Sequence, residues 1–161
     1  MRYICILYHY IMKTYKIEEQ NTSNELKEPS IDYDRIYTYA DYLQFEFEEM
    51  VEIIRGKLFR MSPAPRVKHQ LISGNLFARL HQNLRGKGCR VYNAPIDVVL
   101  PIANKKRNKS TTVVQPDIFV ICDPTIIEET AVFGVPDFVI EIIAGKDVKR
   151  DTKDKYSVYE E

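Results

Sequence analysis

The chain has 161 residues, 45% of them hydrophobic and 29% charged, which fits one globular domain at the usual ~100–200 residues per unit. A chain of this size buries roughly two thirds of its unfolded surface, so its stability requires no disulfide or metal staple. Lysine plus arginine and aspartate plus glutamate number 23 each; that balance excludes a histone-like polycation and a chain disordered throughout, but permits local basic patches.

The first twelve residues, MRYICILYHYIM, are largely apolar but fall short of the ~20 that a membrane span needs, and no signal-peptide cleavage pattern follows. Met12 offers an alternative start, which would make the first eleven residues upstream sequence. Residues 13–34 are polar and lack apolar periodicity, so 1–33 is read as a polar N-terminal extension and 34–161 as the packed domain. Thr38 and Asp41 have the spacing of a capping box, ahead of a short helix carrying Tyr42, Leu43 and Phe45. Two apolar clusters around Arg55-Gly56-Lys57 predict a hairpin over 51–61.

Ser62-Pro63-Ala64-Pro65 breaks the chain. The longest helix is expected over 66–85, where Ile72, Leu76, Leu80 and Leu84 recur every four residues with Val67, Leu71 and Phe77 alongside, and Gly86 and Gly88 end it. Strands are predicted at 89–100, 113–122 and 138–143, and the loop 104–109 between the first two holds four positive charges. A charged helix over 149–160 closes the chain. The order describes an α/β fold, a mixed sheet flanked by helices. Cys5, Cys89 and Cys122 are too few and too scattered for a disulfide framework or a zinc site, and their odd number suits a cytoplasmic protein.

Glu141 interrupts the apolar run Phe138–Ile143, where an ionised carboxylate costs several kcal/mol unless compensated. It lies either on a wet edge face, or beside a core cation, or at a functional site. Asp117 enters a second apolar strand after Pro116, either as turn chemistry or as a partner of Glu141; on one face of an antiparallel pair the two could share a divalent cation such as Mg2+. Glu52 opens the hairpin and reads alone as a solvated strand end. Asp151, Lys155 and Tyr159 share a helix face, as a surface ion pair or as a lysine delivered beside a metal to steady a phosphorane-like transition state. His69 and His81 point ~120° apart on their helix and cannot clamp a metal together. No Walker loop, Gly-x-Ser-x-Gly or His-Glu-x-x-His is present.

These residues occur in a recognisable order: Tyr37-Thr38 with Asp41-Tyr42-Leu43, Glu52-Ile53-Ile54, Met61 to Pro65 with His69-Gln70, Ala94-Pro95 with Asp97-Val98, Val114 to Asp117, Cys122-Asp123-Pro124, Pro136-Asp137 leading to Glu141-Ile142, and Arg150-Asp151 with Lys155 and Tyr159. Over about three quarters of the chain this resembles the Uma-type restriction endonuclease family of the PD-(D/E)XK nuclease superfamily. The resemblance implies a restriction-endonuclease-like fold that hydrolyses DNA with Mg2+, or Mn2+ in its place. Asp117 and Glu141 would be the acidic residues of the two half-motifs and, with the main-chain oxygen of Ile142, the metal ligands. Lys155 would stand in for the lysine that the superfamily signature puts where this chain has Ile143, and Glu52 would be an additional acid. The basic 105–109 loop and the cluster of Lys146, Lys149 and Arg150 would grip phosphates, or else are solvated charge.

Departures from the family pattern are Ala144-Gly145-Lys146-Asp147 in place of a Ser-Pro-Ser turn, and the lack of the family's later Trp-containing strand. They imply a domain incomplete at its C-terminal end and keep open a truncated, inactive remnant or a non-catalytic nucleic-acid-binding module. An RNA substrate and a homodimer are further readings that the sequence leaves standing.

Overall fold

A computed structural model describes residues 2–7, 32, 34–45, 50–61, 65–143 and 153–160. Nine strands and three α-helices are found among them: β1 (Arg2–Leu7), α1 (Tyr39–Tyr42), β2 (Val51–Ile54), β3 (Lys57–Arg60), α2 (Val67–Leu84), β4 (Arg90–Asn93), β5 (Asp97–Val99), β6 (Val113–Val114), β7 (Ile118–Ile121), β8 (Ala131–Phe133), β9 (Phe138–Ile143) and α3 (Lys155–Tyr159). The mixed α/β class expected from the sequence is present, with the strands divided between two sheets. One has the order β1-β9-β7-β4 and the other β3-β2-β6-β5-β8. Each is mixed, because β1 runs parallel to β9 and β5 parallel to β8, while the remaining pairs are antiparallel.

Strand alternation sorts the core into three layers. Ile118, Val120, Ile140 and Ile142 pack under Ile72, Leu76, Phe77, Leu80 and Leu84 of α2. Phe119, Ile121 and Val139 turn the other way and meet Ile54, Val98, Val114 and Val132 of the second sheet, joined by Val158 and Tyr159 of α3. Val51, Ile53, Val99 and Val113 then cover the outer face of that sheet beneath Tyr39 and Tyr42 of α1.

Among the described residues, proline lies in the crossings between the sheets from β4 to β5, from β6 to β7, from β7 to β8 at Pro124, and from β8 to β9. The predicted strand 89–100 breaks at Ala94-Pro95, a cis bond, into β4 of one sheet and β5 of the other. The predicted strand 113–122 breaks at Pro116 into β6 and β7. Proline lacks the N–H that a ladder needs and holds its predecessor in an extended conformation, so an apolar run continues while its pairing partner changes. The return from β8 to β9 passes Pro136.

Several expectations are corrected. Cys89 and Cys122 are bonded to each other, because the register that pairs Arg90 with Ile121 puts them opposite one another. Arg2–Leu7, assigned from the sequence to the extension, pair residue for residue with Phe138–Ile143. β8 was not expected at all. Val67 and Leu71 are exposed rather than part of the buried stripe of α2. The capping box forms, with Asp41 accepting from both the N–H and the hydroxyl of Thr38, which holds its carboxyl below the usual carboxylate range; the helix behind it has four residues. Ser62–Ala64 and most of the expected linker lie outside the described residues, and no described helix is long and apolar enough to cross a membrane.

The hairpin of β2 and β3 turns at Arg55 and Gly56, both at positive φ, +49° and +81°. A Cβ on Gly56 would come within 2.5 Å of Ile36 Cγ2, and the left-handed conformation adds about 1 kcal/mol for a residue with a Cβ. Gly56→Ala is therefore expected to lower stability by about 1–2 kcal/mol, read as a lower urea midpoint with an unchanged m-value. Gly86→Ala, with open space around its Cβ, serves as the control that carries the backbone cost alone.

Candidate active site

The second crossover builds the site. As the chain leaves β6 and passes Pro116, the N–H of Gln115 is released from the sheet ladder and donates instead to Glu52 Oε1 at 2.8 Å. One residue further, Asp117 stands opposite Glu141, since Ile118 pairs with Ile140 in the antiparallel β7–β9 register. The two residues exchange main chain for side chain across this pair. The N–H of Ile142 donates to Asp117 Oδ2 at 2.6 Å, and the N–H of Asp117 reaches Glu141 Oε2 at 3.5 Å. Ala94 at the neighbouring crossover donates to the Asp117 carbonyl at 3.1 Å, so two chain corners brace the same residue.

Glu141 and Glu52 come from different sheets, yet both point into the layer between them. They meet on α3. Lys155 Nζ lies 2.8 Å from Glu52 Oε1 and 3.1 Å from Glu141 Oε1, and Tyr159, one turn later on the same face, donates its hydroxyl to Glu141 Oε1 at 2.9 Å. All three charged residues are buried: Glu52 is 0% exposed, Glu141 3% and Lys155 3%. The solvated strand end read for Glu52 and the surface ion pair read for Lys155 are thereby overturned, and so is the wet-face alternative for Glu141. Asp151 lies outside the described residues.

The structure thus brings Asp117, Glu141, Lys155 and Glu52 into one connected cluster, and adds a residue that sequence reasoning set aside. His69, in the first turn of α2, has Nε2 3.2 Å from Asp117 Oδ2, with side-chain exposures of 16% and 19% for the two. Its only sequence signal was its place beside Gln70 after the proline break; helical spacing could test it against His81 but not against a residue 48 positions away. Ile142 contributes its amide to Asp117, whereas the resemblance assigned its carbonyl to a metal. Of the expected basic groups, Lys105 and Lys106 are exposed, Arg107 pairs with Glu128 and lies over the Phe133 ring, and the cluster of Lys146, Lys149 and Arg150 falls outside the described residues.

Chemically this is an acidic site closed on one side. Three carboxyl side chains meet one lysine and one imidazole, a formal excess of acid, and a buried charge excess is costly without a further cation. Among the described residues no group of three or more His, Cys, Asp or Glu side chains converges to hold a metal by protein ligands alone. Two carboxylates and water suit Mg2+, which keeps several waters and takes one or two carboxylates. Asp117 is the one acidic member open to solvent, so entry would be from its side. A separate cavity of about 350 Å3 lies beyond Gln115, lined by Tyr92, Asp97 and Glu128 among others. There the Tyr42 hydroxyl donates to Asp97, and burial followed by that carboxylate pushes the Tyr42 phenol well up.

The family model described as Uma2, "Putative restriction endonuclease", matches residues 38–161. The chain belongs to the Uma2 family. Membership carries nuclease function at the level of class. Among solved structures, one titled as a "putative nuclease belonging to DUF820" from Anabaena variabilis superposes with a TM-score of 0.56 and 22% identity, over 76% of the Uma2 chain described here and 67% of that protein. At that identity the likeness concerns the fold. No curated relative matches.

Breaking the cluster tests its structural weight. Lys155→Met leaves Glu52 and Glu141 buried together without their cation, and is expected to cost about 3–5 kcal/mol. Adding Glu52→Gln to that variant should restore a large part of the loss in a urea-melt cycle, because the coupling is between these two side chains.

Proposed function

We propose that this Uma2 chain is a divalent-metal-dependent endonuclease that hydrolyses DNA phosphodiester bonds at the Asp117–Glu141 pair. The observation that carries the reading is the meeting of these carboxylates at a crossover of the chain, with Glu52 and Lys155 buried behind them. Asp117 and Glu141 would hold Mg2+ or Mn2+, with the carbonyl of Ile142 as an added oxygen ligand. When bound, the ion supplies Lewis-acid neutralisation of the phosphate and lowers the pKa of a coordinated water.

The chain's own groups have separate tasks in this reading. The Ile142 amide and His69 both hold Asp117 Oδ2, so the orientation of that carboxylate is set before an ion arrives. Lys155 holds positive charge between Glu52 and Glu141 and keeps the two carboxylates from repelling one another; the same charge favours a phosphorane-like transition state close by. Tyr159 fixes the rotamer of Glu141. Glu52 anchors Lys155 and caps the Gln115 amide, a positioning role.

A second reading, a nucleic-acid-binding module without catalysis, is favoured by one observation: Lys155 is engaged by two carboxylates and nearly inaccessible. Metal linkage separates the two. At tenfold excess over its dissociation constant, Mn2+ should stabilise the chain by ~1.4 kcal/mol and raise the melting midpoint by several degrees. Supercoiled plasmid should be nicked with Mg2+ or Mn2+ and not with EDTA. Asp117→Asn and Glu141→Gln should each lose the midpoint shift and at least ~100-fold of the nicking rate. Variants that nick like wild type would remove the assigned site, and DNA binding indifferent to metal would favour the module.

A further inference from the structure

From Ile53 to Ile96 the chain carries nine lysines and arginines and not one aspartate or glutamate. The zero overall charge therefore conceals a basic segment, balanced by an acidic remainder. That segment forms the hairpin, α2 and β4. On the latter two the cations stand outside: Lys68, Arg79, Arg85, Lys87 and Arg90 are all exposed, and Arg79, Arg85, Lys87 and Arg90 enter no ion pair among the described residues.

Their placement is ordered. Lys68 and Arg79 are eleven residues apart, about 20° after three turns, and Asn75 and Gln82 fall within about 40° of Lys68. They make one stripe of hydrogen-bond donors on the exposed flank of α2, bordering Ile72 and turned away from Leu80 and Leu84. The helix is about 27 Å long at 1.5 Å per residue. One end carries His69 against Asp117, and the other leads through Arg85 and Lys87 to Arg90. The competing basic loop 104–109 lies elsewhere, packed against α1 on the outer face of the opposite sheet.

We propose that this flank of α2, continued by Lys87 and Arg90, is the surface on which the backbone of duplex DNA lies. The proposal rests on the nuclease reading of the adjacent cluster for the direction of the track, which would run from the reacting phosphate outwards. Its chemistry fits a regularly spaced polyanion: flexible cations and side-chain amides in a line, with no acid along it to repel phosphates.

The test is fluorescence anisotropy of a labelled 20-base-pair duplex with the full chain in EDTA, over a range of salt. Three proteins are compared: wild type, Arg79→Gln/Arg85→Gln/Lys87→Gln, and Lys105→Gln/Lys106→Gln/Lys109→Gln. The α2 variant should melt like wild type, lose at least tenfold in affinity at low salt, and reduce the slope of log K against log salt by about 2–3, at ~0.9 per phosphate contact; the loop variant should keep both. An unchanged slope in the α2 variant, a larger loss in the loop variant, no duplex binding by wild type, or preferential binding to phosphatidylserine vesicles would each overturn the proposal. Its failure is distinguishable from that of the catalytic reading. Plasmid nicking with an unaffected α2 variant overturns the track alone, whereas α2-dependent binding without any response to Mn2+ supports the track and overturns catalysis.

Discussion

An ammonium group held between two sheets is the constraint around which the rest of the structure is arranged. Lys155 could not stay 3% exposed in an apolar layer on its own account. It does so because Glu52 arrives from one sheet and Glu141 from the other. The pair of contacts ties β2 to β9 through α3, and it fixes which face of each strand must point inwards. A one-residue slip in either strand would turn its carboxylate to the opposite face and leave the lysine without half its compensation. Register, helix docking and charge are therefore one condition.

The prolines make that condition attainable. A single flat sheet would place Glu52 and Glu141 far apart along its width. Because the chain changes sheets at Pro95, Pro116 and Pro136, the strands that carry the two glutamates are stacked rather than side by side, and Asp117 sits at the corner itself. The corner also explains why acidic side chains recur here. Crossing between sheets releases backbone amides from their ladders, and each must find an acceptor. Glu52 takes the amide of Gln115 and Asp117 takes that of Ile142. The structural demand for carboxylates falls at the turns where the proposed chemistry would also need them.

Much of this was legible in the residues, and the exceptions have physical reasons. The β2–β3 hairpin and α2 were readable because a glycine-containing turn and a four-residue period are local signals. Asp117 opposite Glu141 could be anticipated because both interrupt apolar runs, and such interruptions demand a partner. What local pattern cannot express is a change of neighbour. The runs 89–100 and 113–122 remain apolar through their crossovers, so only Pro95 and Pro116 hinted at the break. Cys89 and Cys122 look scattered until β4 and β7 pair. Glu52 read as a strand end because its burial depends on a lysine more than one hundred residues away, and His69 could be judged only against its own helix.

Charge segregation bears on the same question from outside. A site made of three carboxylates repels a phosphodiester, so binding and reaction make opposite demands on the local field. Here the acids are concentrated at one chain corner, and Lys155 offsets part of their charge from within, while the segment Ile53–Ile96 contains no acid at all. Attraction for a polyanion can then act over the length of a helix, with the repulsive centre confined to its first turn. The formal excess of acid at that turn would favour a cation over a phosphate beside Asp117. In the proposed reading, a substrate held along the helix would meet the acidic cluster only at that end, where a divalent ion would offset the acids' charge.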